Sequence, residues 1–205
     1  TLAQSYLFPA SVLNRILGLG RINRHDLMTI VFTSGSTGTP KGVMLSHENI
    51  GTNMDGIERC ASFRPTDAMI GILPFFHSFG YTATLWAAVG CNLRGIYHFS
   101  PLDARQVGKL VERFKGTILV ATPTFLRSYL RRCTTEQFES LDVVVAGAER
   151  LPMELVQQFG EKFGVRPVEG YGATELSPIV SVNIPDSRIT DTFQTDQKEG
   201  TVGRP

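Results

Sequence analysis

The chain is poor in cysteine: three in 205 residues, at positions 60, 91 and 133, with no Cys-x-x-Cys pair. That spacing argues against a disulfide framework or a cysteine-based zinc site and for a reducing compartment. An excess of charge of either sign is missing too. Twenty Lys and Arg stand against 19 Asp and Glu, a net charge of +1, which leaves no electrostatic basis for binding nucleic acid. The four histidines, His25, His47, His77 and His98, show no ligand spacing. No run is long enough to cross a bilayer; the most apolar stretch, Phe79 to Leu93, is interrupted by Thr82, Thr84 and Gly90. No signal peptide is read at the start. The first residue is not Met and the last are Gly203-Arg-Pro205, so a piece of a longer protein is expected.

What is present is concentrated in one loop. Residues 33–42 read Thr33-Ser34-Gly35-Ser36-Thr37-Gly38-Thr39-Pro40-Lys41-Gly42, after the apolar run Met28 to Phe32. Glycines let a backbone approach an anion and turn with positive φ. Successive N–H groups then form an anion-binding concavity, to which the Ser and Thr hydroxyls add donors and Lys41 a charge. The spacing is not that of the common P-loop, where Gly-Lys is followed at once by Ser or Thr and a helix. Here Val43 to Leu45 reads as a second short strand, so a hairpin closing over ATP phosphates is expected. The next helix starts later, with Ser46 as N-cap and Glu48 in its first turn.

Strand-like and helix-like runs alternate along the rest of the chain. Strands are expected at 28–33, 43–45, 68–72, 93–97, 117–121, 142–146, 167–170 and 179–183, and helices at 46–60, 78–90, 103–114, 123–132 and 152–163. Ile118 to Val120 and Val143 to Val145 are continuous apolar strands, as when both faces of a sheet are covered. The pattern predicts an α/β fold with a mostly parallel, helix-covered sheet, and ligands at the strand carboxyl ends. Residues 1–25 form an amphipathic connecting segment with Val12, Leu13, Ile16 and Leu17 on one face; packing against another domain is the leading expectation, a membrane surface the second. Residues 26–183 form the ligand-binding subdomain, and 184–205 a polar loop leading onward.

Three further clusters each follow a predicted strand. Leu73-Pro-Phe-Phe-His77-Ser-Phe-Gly80 places a histidine among aromatics, as an apolar wall. Val144-Val-Ala-Gly147-Ala148-Glu149 ends a strand in small residues that let a flat ligand approach. In Glu169-Gly-Tyr171-Gly172-Ala-Thr174-Glu175 the glycines free the Tyr171 ring to lie against a planar ligand. Thr174 offers phosphate a hydroxyl, and Glu175 is a hard oxygen ligand suited to Mg²⁺. The clusters are placed to converge on one crevice.

Together these motifs resemble the adenylate-forming (AMP-binding) superfamily of acyl-CoA synthetases, luciferases and peptide-synthetase adenylation domains. Ser34 to Gly42 resembles its phosphate loop, and Tyr171-Gly-Ala-Thr-Glu175 its adenine and magnesium motif, over about residues 26 to 205. Leu73 to Gly80, Val145 to Arg150 and Gly200 to Pro205 resemble the fatty-acid activators, and among them the acyl-carrier-protein synthetase part of bifunctional 2-acylglycerophosphoethanolamine acyltransferases. The resemblance implies a fragment of the large N-terminal domain of an enzyme using ATP and Mg²⁺. A fatty acid would become acyl-AMP with release of pyrophosphate, and the acyl group would pass to the phosphopantetheine thiol of acyl carrier protein or CoA. It implies that Thr33, Ser34, Gly35, Ser36, Thr37, Gly38 and Lys41 hold the β- and γ-phosphates, and that His77 borders the acyl carboxylate. Gly147, Ala148 and Glu149 would line the adenine with Tyr171 and Gly172; Thr174 would touch the α-phosphate, and Glu175 would hold Mg²⁺. The family's ribose-binding Asp motif and its late lysine would lie beyond residue 205, leaving the 205 residues alone almost inactive. A cytoplasmic location is implied, with peripheral membrane association of the full-length protein. Two other readings stay open: a non-catalytic nucleotide-binding module, and a phosphotransferase releasing ADP.

Overall fold

The computed structural model describes residues 8–35, 38–190 and 198–203; Ser36 and Thr37 of the glycine-rich loop lie outside them. The first helix among the described residues, α1 (Ala10–Leu17), carries the amphipathic face of the sequence, and none of its residues is buried. The glycine-rich loop then joins β1 (Leu27–Thr33) to β2 (Lys41–Ser46) in an antiparallel hairpin, with Thr33 opposite Lys41. β2 begins two residues before the predicted 43–45, so Lys41 sits on the strand itself. Ser46 caps α2 (His47–Cys60): its hydroxyl accepts from the Asn49 N–H, and the Asn49 side chain accepts from the Ser46 N–H.

The apolar runs become β3 (Ala68–Gly71), β4 (Arg94–Tyr97), β5 (Ile118–Ala121), β6 (Val143–Ala146), β7 (Val168–Gly172) and β8 (Ile179–Val182) of one sheet, in the order β4-β3-β5-β6-β7-β8. Every neighbouring pair is parallel except β7 with β8. The crossovers carry α3 (residues 78–90), α4 (Ala104–Phe114), α5 (Pro123–Arg132), the short α6 (Thr135–Phe138) and α7 (Met153–Phe163). α3 runs through a widened π turn at Tyr81–Trp86. α6 was not predicted; four residues are too few for periodicity, although Thr134 and Gln137 form a capping box there.

Both sheet faces are covered, as continuous apolar strands require. β5 sends Leu119 and Ala121 into a core made with α4, α5 and α7. It sends Ile118 and Val120 to the other face, against Met54 of α2 and Ala83, Ala87 and Ala88 of α3. The hairpin shares a small core with α2, made of Val31, Leu45 and Ile50 packed against Tyr81 and Trp86. Its other face leaves Ile30, Phe32 and Met44 exposed. No helix among the described residues is long and apolar enough to cross a membrane.

Residues 184–190 differ from the polar surface loop expected of them. Ile184 and Arg188 are buried, and Ile189 bridges antiparallel to Ala61 at the end of α2. Arg188 reaches the amino-terminal edge of the sheet and pairs with Asp67, just before β3, and Asp142, just before β6. Burial alone would raise the Asp67 carboxyl, but the Arg188 guanidinium, the Arg64 N–H and the Thr117 hydroxyl outweigh it and hold the carboxyl below the usual range. Such a depressed group stabilises the fold fully above the ordinary value near ~4, and the contribution is lost as pH falls through the lower folded value. Thermal melts in acid should therefore show the wild-type melting temperature falling more steeply below pH ~4 than that of Asp67→Asn. Parallel curves would remove Asp67 from the acid response.

Candidate nucleotide and acyl site

The site is built where parallel strands end. Beyond β3 the chain turns through Pro74 to Phe76, and His77 caps α3: its Nδ1 accepts from the Phe79 N–H at 3.2 Å. That bond places the proton of the neutral ring on Nε2. Gly80 is required here, because a Cβ would stand 2.3 Å from the Pro74 carbonyl oxygen. Beyond β6, Gly147 is buried against the Phe79 ring and Ala148 takes a positive φ of 66°. Beyond β7 come Ala173 and the 3₁₀ turn Thr174–Leu176, with Glu175 exposed on it.

Hydrogen bonds from α2 and α3 fix that turn. The buried Ser78 hydroxyl and the Thr174 hydroxyl are 2.9 Å apart, joining the β3 and β7 ends across the sheet. Thr82 donates to the Ser177 carbonyl at 3.0 Å. Asn53 of α2 accepts from the Ile179 N–H at 2.9 Å. β2 of the hairpin also touches the turn, which brings the phosphate-type loop to its side.

Behind these residues a cavity of about 350 Å³ opens between the sheet and α3. His77, Gly147, Ala148, Tyr171, Gly172 and Thr174 line its mouth, and Met69, Ile118, Val120, Val143 and Val145 its sheet wall. Thus six of the predicted site residues come together. The described loop residues do not line the cavity: Ser34 and Lys41 are exposed on the hairpin beside it, and the backbone of Gly35 and Gly38 has positive φ. Glu149 stands apart as well, its carboxylate accepting from the Thr124 hydroxyl at 2.7 Å. Sequence reasoning missed Ser78, Thr82 and Asn53; a hydroxyl directly after His77 was the only signal, and Asn53 carried none.

The chemistry of this arrangement is binding and positioning. Among the described residues Ser78 pairs with Thr174 rather than with a base. Burial pushes the Cys91 and Cys133 thiols up to about 11, so neither is a thiolate at neutral pH. No cluster of three or more His, Cys, Asp or Glu residues is present among them to cage a metal. A lone exposed carboxylate such as Glu175 suits Mg²⁺, which binds through one or two carboxylates plus phosphates.

The model of the AMP-binding enzyme family matches residues 18–205. The chain belongs to that family. Its relatives among curated proteins include a long-chain-fatty-acid–CoA ligase of Bacillus subtilis, 33% identical over 190 residues, with 88% of this chain and 31% of the relative covered. A mitochondrial medium-chain acyl-CoA ligase of Rattus norvegicus is 29% identical over 193 residues, covering 90% of this chain and 30% of that protein. Among solved structures, ATP-bound MatB of Rhodopseudomonas palustris superposes with a TM-score of 0.75 at 28% identity, over 88% of this chain and 34% of that one. The anthranilate CoA ligase AuaEII in complex with anthranoyl-AMP gives 0.77 at 26% identity, over 89% and 34%. The chain therefore spans about a third of the length of the relatives it matches. The AMP-binding fold is the expected α/β sheet, mostly parallel and helix-covered, and the resemblance to the fatty-acid branch of the adenylate-forming superfamily holds.

Proposed function

We propose that this chain forms the nucleotide- and acyl-binding part of a ligase that joins a fatty acid to AMP and then passes the acyl group to a phosphopantetheine thiol, on CoA or acyl carrier protein. The observation that carries the reading is the apolar cavity whose mouth is ringed by His77, Gly147, Tyr171 and Thr174. An alkyl chain fits an apolar wall; an amino-acid ammonium would need an acidic partner, and none of the described residues that line this cavity is acidic. The carboxylate would lie at the mouth beside His77, and the Thr33–Lys41 loop would hold the outer phosphates. Tyr171 would lie against the adenine, and Thr174, held by Ser78, would meet the α-phosphate. The residues thus orient carboxylate and phosphorus for attack and exclude water from the alkyl tail. Mg²⁺ held by Glu175 would neutralise phosphate charge.

The test is pyrophosphate exchange into ATP by the complete gene product, with fatty acids and amino acids compared. Exchange with fatty acids is expected, and the 205 residues alone should give almost none. A preference for amino acids over every fatty acid, or release of ADP in place of AMP, would overturn the reading. Glu175→Gln should slow acyl-AMP formation at limiting Mg²⁺ at least about tenfold, about 1.4 kcal/mol. An unchanged rate would take Glu175 out of the metal site.

A further inference from the structure

The cavity does not end on the apolar wall that surrounds most of it. At its far end it meets Ser62, Phe63 and Arg188, at the amino-terminal edge of the sheet. Arg188 is 2% exposed, and so is Asp67. All three guanidinium nitrogens are engaged. Nη1 and Nη2 donate to the two Asp67 oxygens at 2.5 and 2.9 Å. Nε donates to Asp142 at 2.9 Å, Nη2 lies 2.6 Å from the same oxygen, and Nη1 also donates to the Ser62 carbonyl at 3.1 Å. Arg64 adds a second cation on Asp142 at 2.9 Å, so two positive and two negative charges balance.

We infer that Phe63 and the ion-pair cluster beside it together form the floor of the acyl cavity and set the length of alkyl chain the enzyme accepts; the inference rests on the fatty-acid reading of the site. Three observations carry it. First, the cluster lies opposite the mouth, along the strand direction: Val143, which opens β6, and Gly147, which directly follows its end four residues on, both line the cavity. That is about 13 Å at about 3.3 Å per residue. An extended chain covers about 3.6 Å in three bonds, so the depth takes about eleven bonds, or about twelve carbons. Second, the floor is rigid. Arg188 is tied to the segments preceding β3 and β6, and its own segment is bridged to Ala61, so a longer chain cannot push it aside without separating buried charges. Third, the ion-pair cluster has no unmatched cation, since Arg188 and Arg64 are balanced by Asp67 and Asp142. It tolerates a methyl terminus and offers no counter-charge to a second carboxylate, whose burial without one is costly.

The test measures kcat/KM for pyrophosphate exchange by the complete gene product over saturated acids from about six to about eighteen carbons. It is expected to rise about fourfold per added methylene while the chain still fills the cavity. Beyond about twelve carbons it should fall at least about tenfold. Phe63→Ala leaves every ion pair in place, and the double variant Arg188→Ala with Asp67→Asn removes the floor with one buried charge from each side; each should move the fall to longer chains by at least about two carbons. An α,ω-diacid of the best length should be at least about a hundredfold poorer than the monoacid. A folded Phe63→Ala enzyme with the wild-type length profile, or a diacid used as well as the monoacid, overturns the inference. Absence of exchange with acids of every length in the wild type overturns the fatty-acid reading instead.

Discussion

Arg188→Ala is expected to cost about 3–5 kcal/mol of stability, because removing one partner of a buried ion pair strands the others. The carboxylates of Asp67 and Asp142 would lose their shared cation, and Asp67 is 2% exposed, so water cannot replace it. At about 2–4 °C per kcal/mol for a chain of this size, the melting temperature should fall by about 10 °C. Arg188→Lys should recover little, since one ammonium cannot reproduce a fork that reaches Asp67, Asp142 and the Ser62 carbonyl together. The pair Arg166–Glu199 provides the contrast. It is also short, at 2.5 Å, but its side chains are 49% and 50% exposed. Solvent screens it, and Arg166→Ala should change stability by less than ~1 kcal/mol. Calorimetry on the variants decides: a loss at Arg188 no larger than that at Arg166 would mean that the cluster locks nothing.

Gly172→Ala should lower acyl-AMP formation at least about a hundredfold in the complete gene product, because misplacement by about 1 Å is enough for that loss. A Cβ there would stand 2.1 Å from the Pro178 carbonyl oxygen. That oxygen cannot yield freely, since it accepts from the Ala173 N–H at 2.9 Å. The turn between β7 and β8 must shift, and Thr174 and Glu175 ride on it. Gly170, two residues earlier on the same strand, is the control: its Cβ would meet neighbours no nearer than 3.5 Å, an ordinary contact. Gly170→Ala should leave the rate within a few fold. Equal rates for the two variants, measured as pyrophosphate exchange, would show that the β7–β8 turn does not position the reacting groups.

The sequence by itself determined the layout of the fold. Ile118–Val120 and Val143–Val145 are apolar without alternation, which only a sheet covered on both faces tolerates, and β5 and β6 are such strands. Pro123 after Thr122 marked the start of α5, and Gly164, at φ 74°, the end of α7. It also marked the strand ends that carry His77, Gly147 and Thr174, because glycines and small residues there have a local conformational purpose. Only the tertiary structure decided what those ends enclose. Periodicity reports on neighbours two to four residues apart, whereas the Ser78–Thr174 contact joins residues 96 positions apart and the Arg188–Asp67 pair joins residues 121 apart. An isolated arginine in the polar stretch after residue 184 carries no local sign that it will be buried. Its burial follows from two aspartates placed at the amino-terminal edge of a sheet by strands far away in the chain, since a charge leaves water only where its counter-charges already stand.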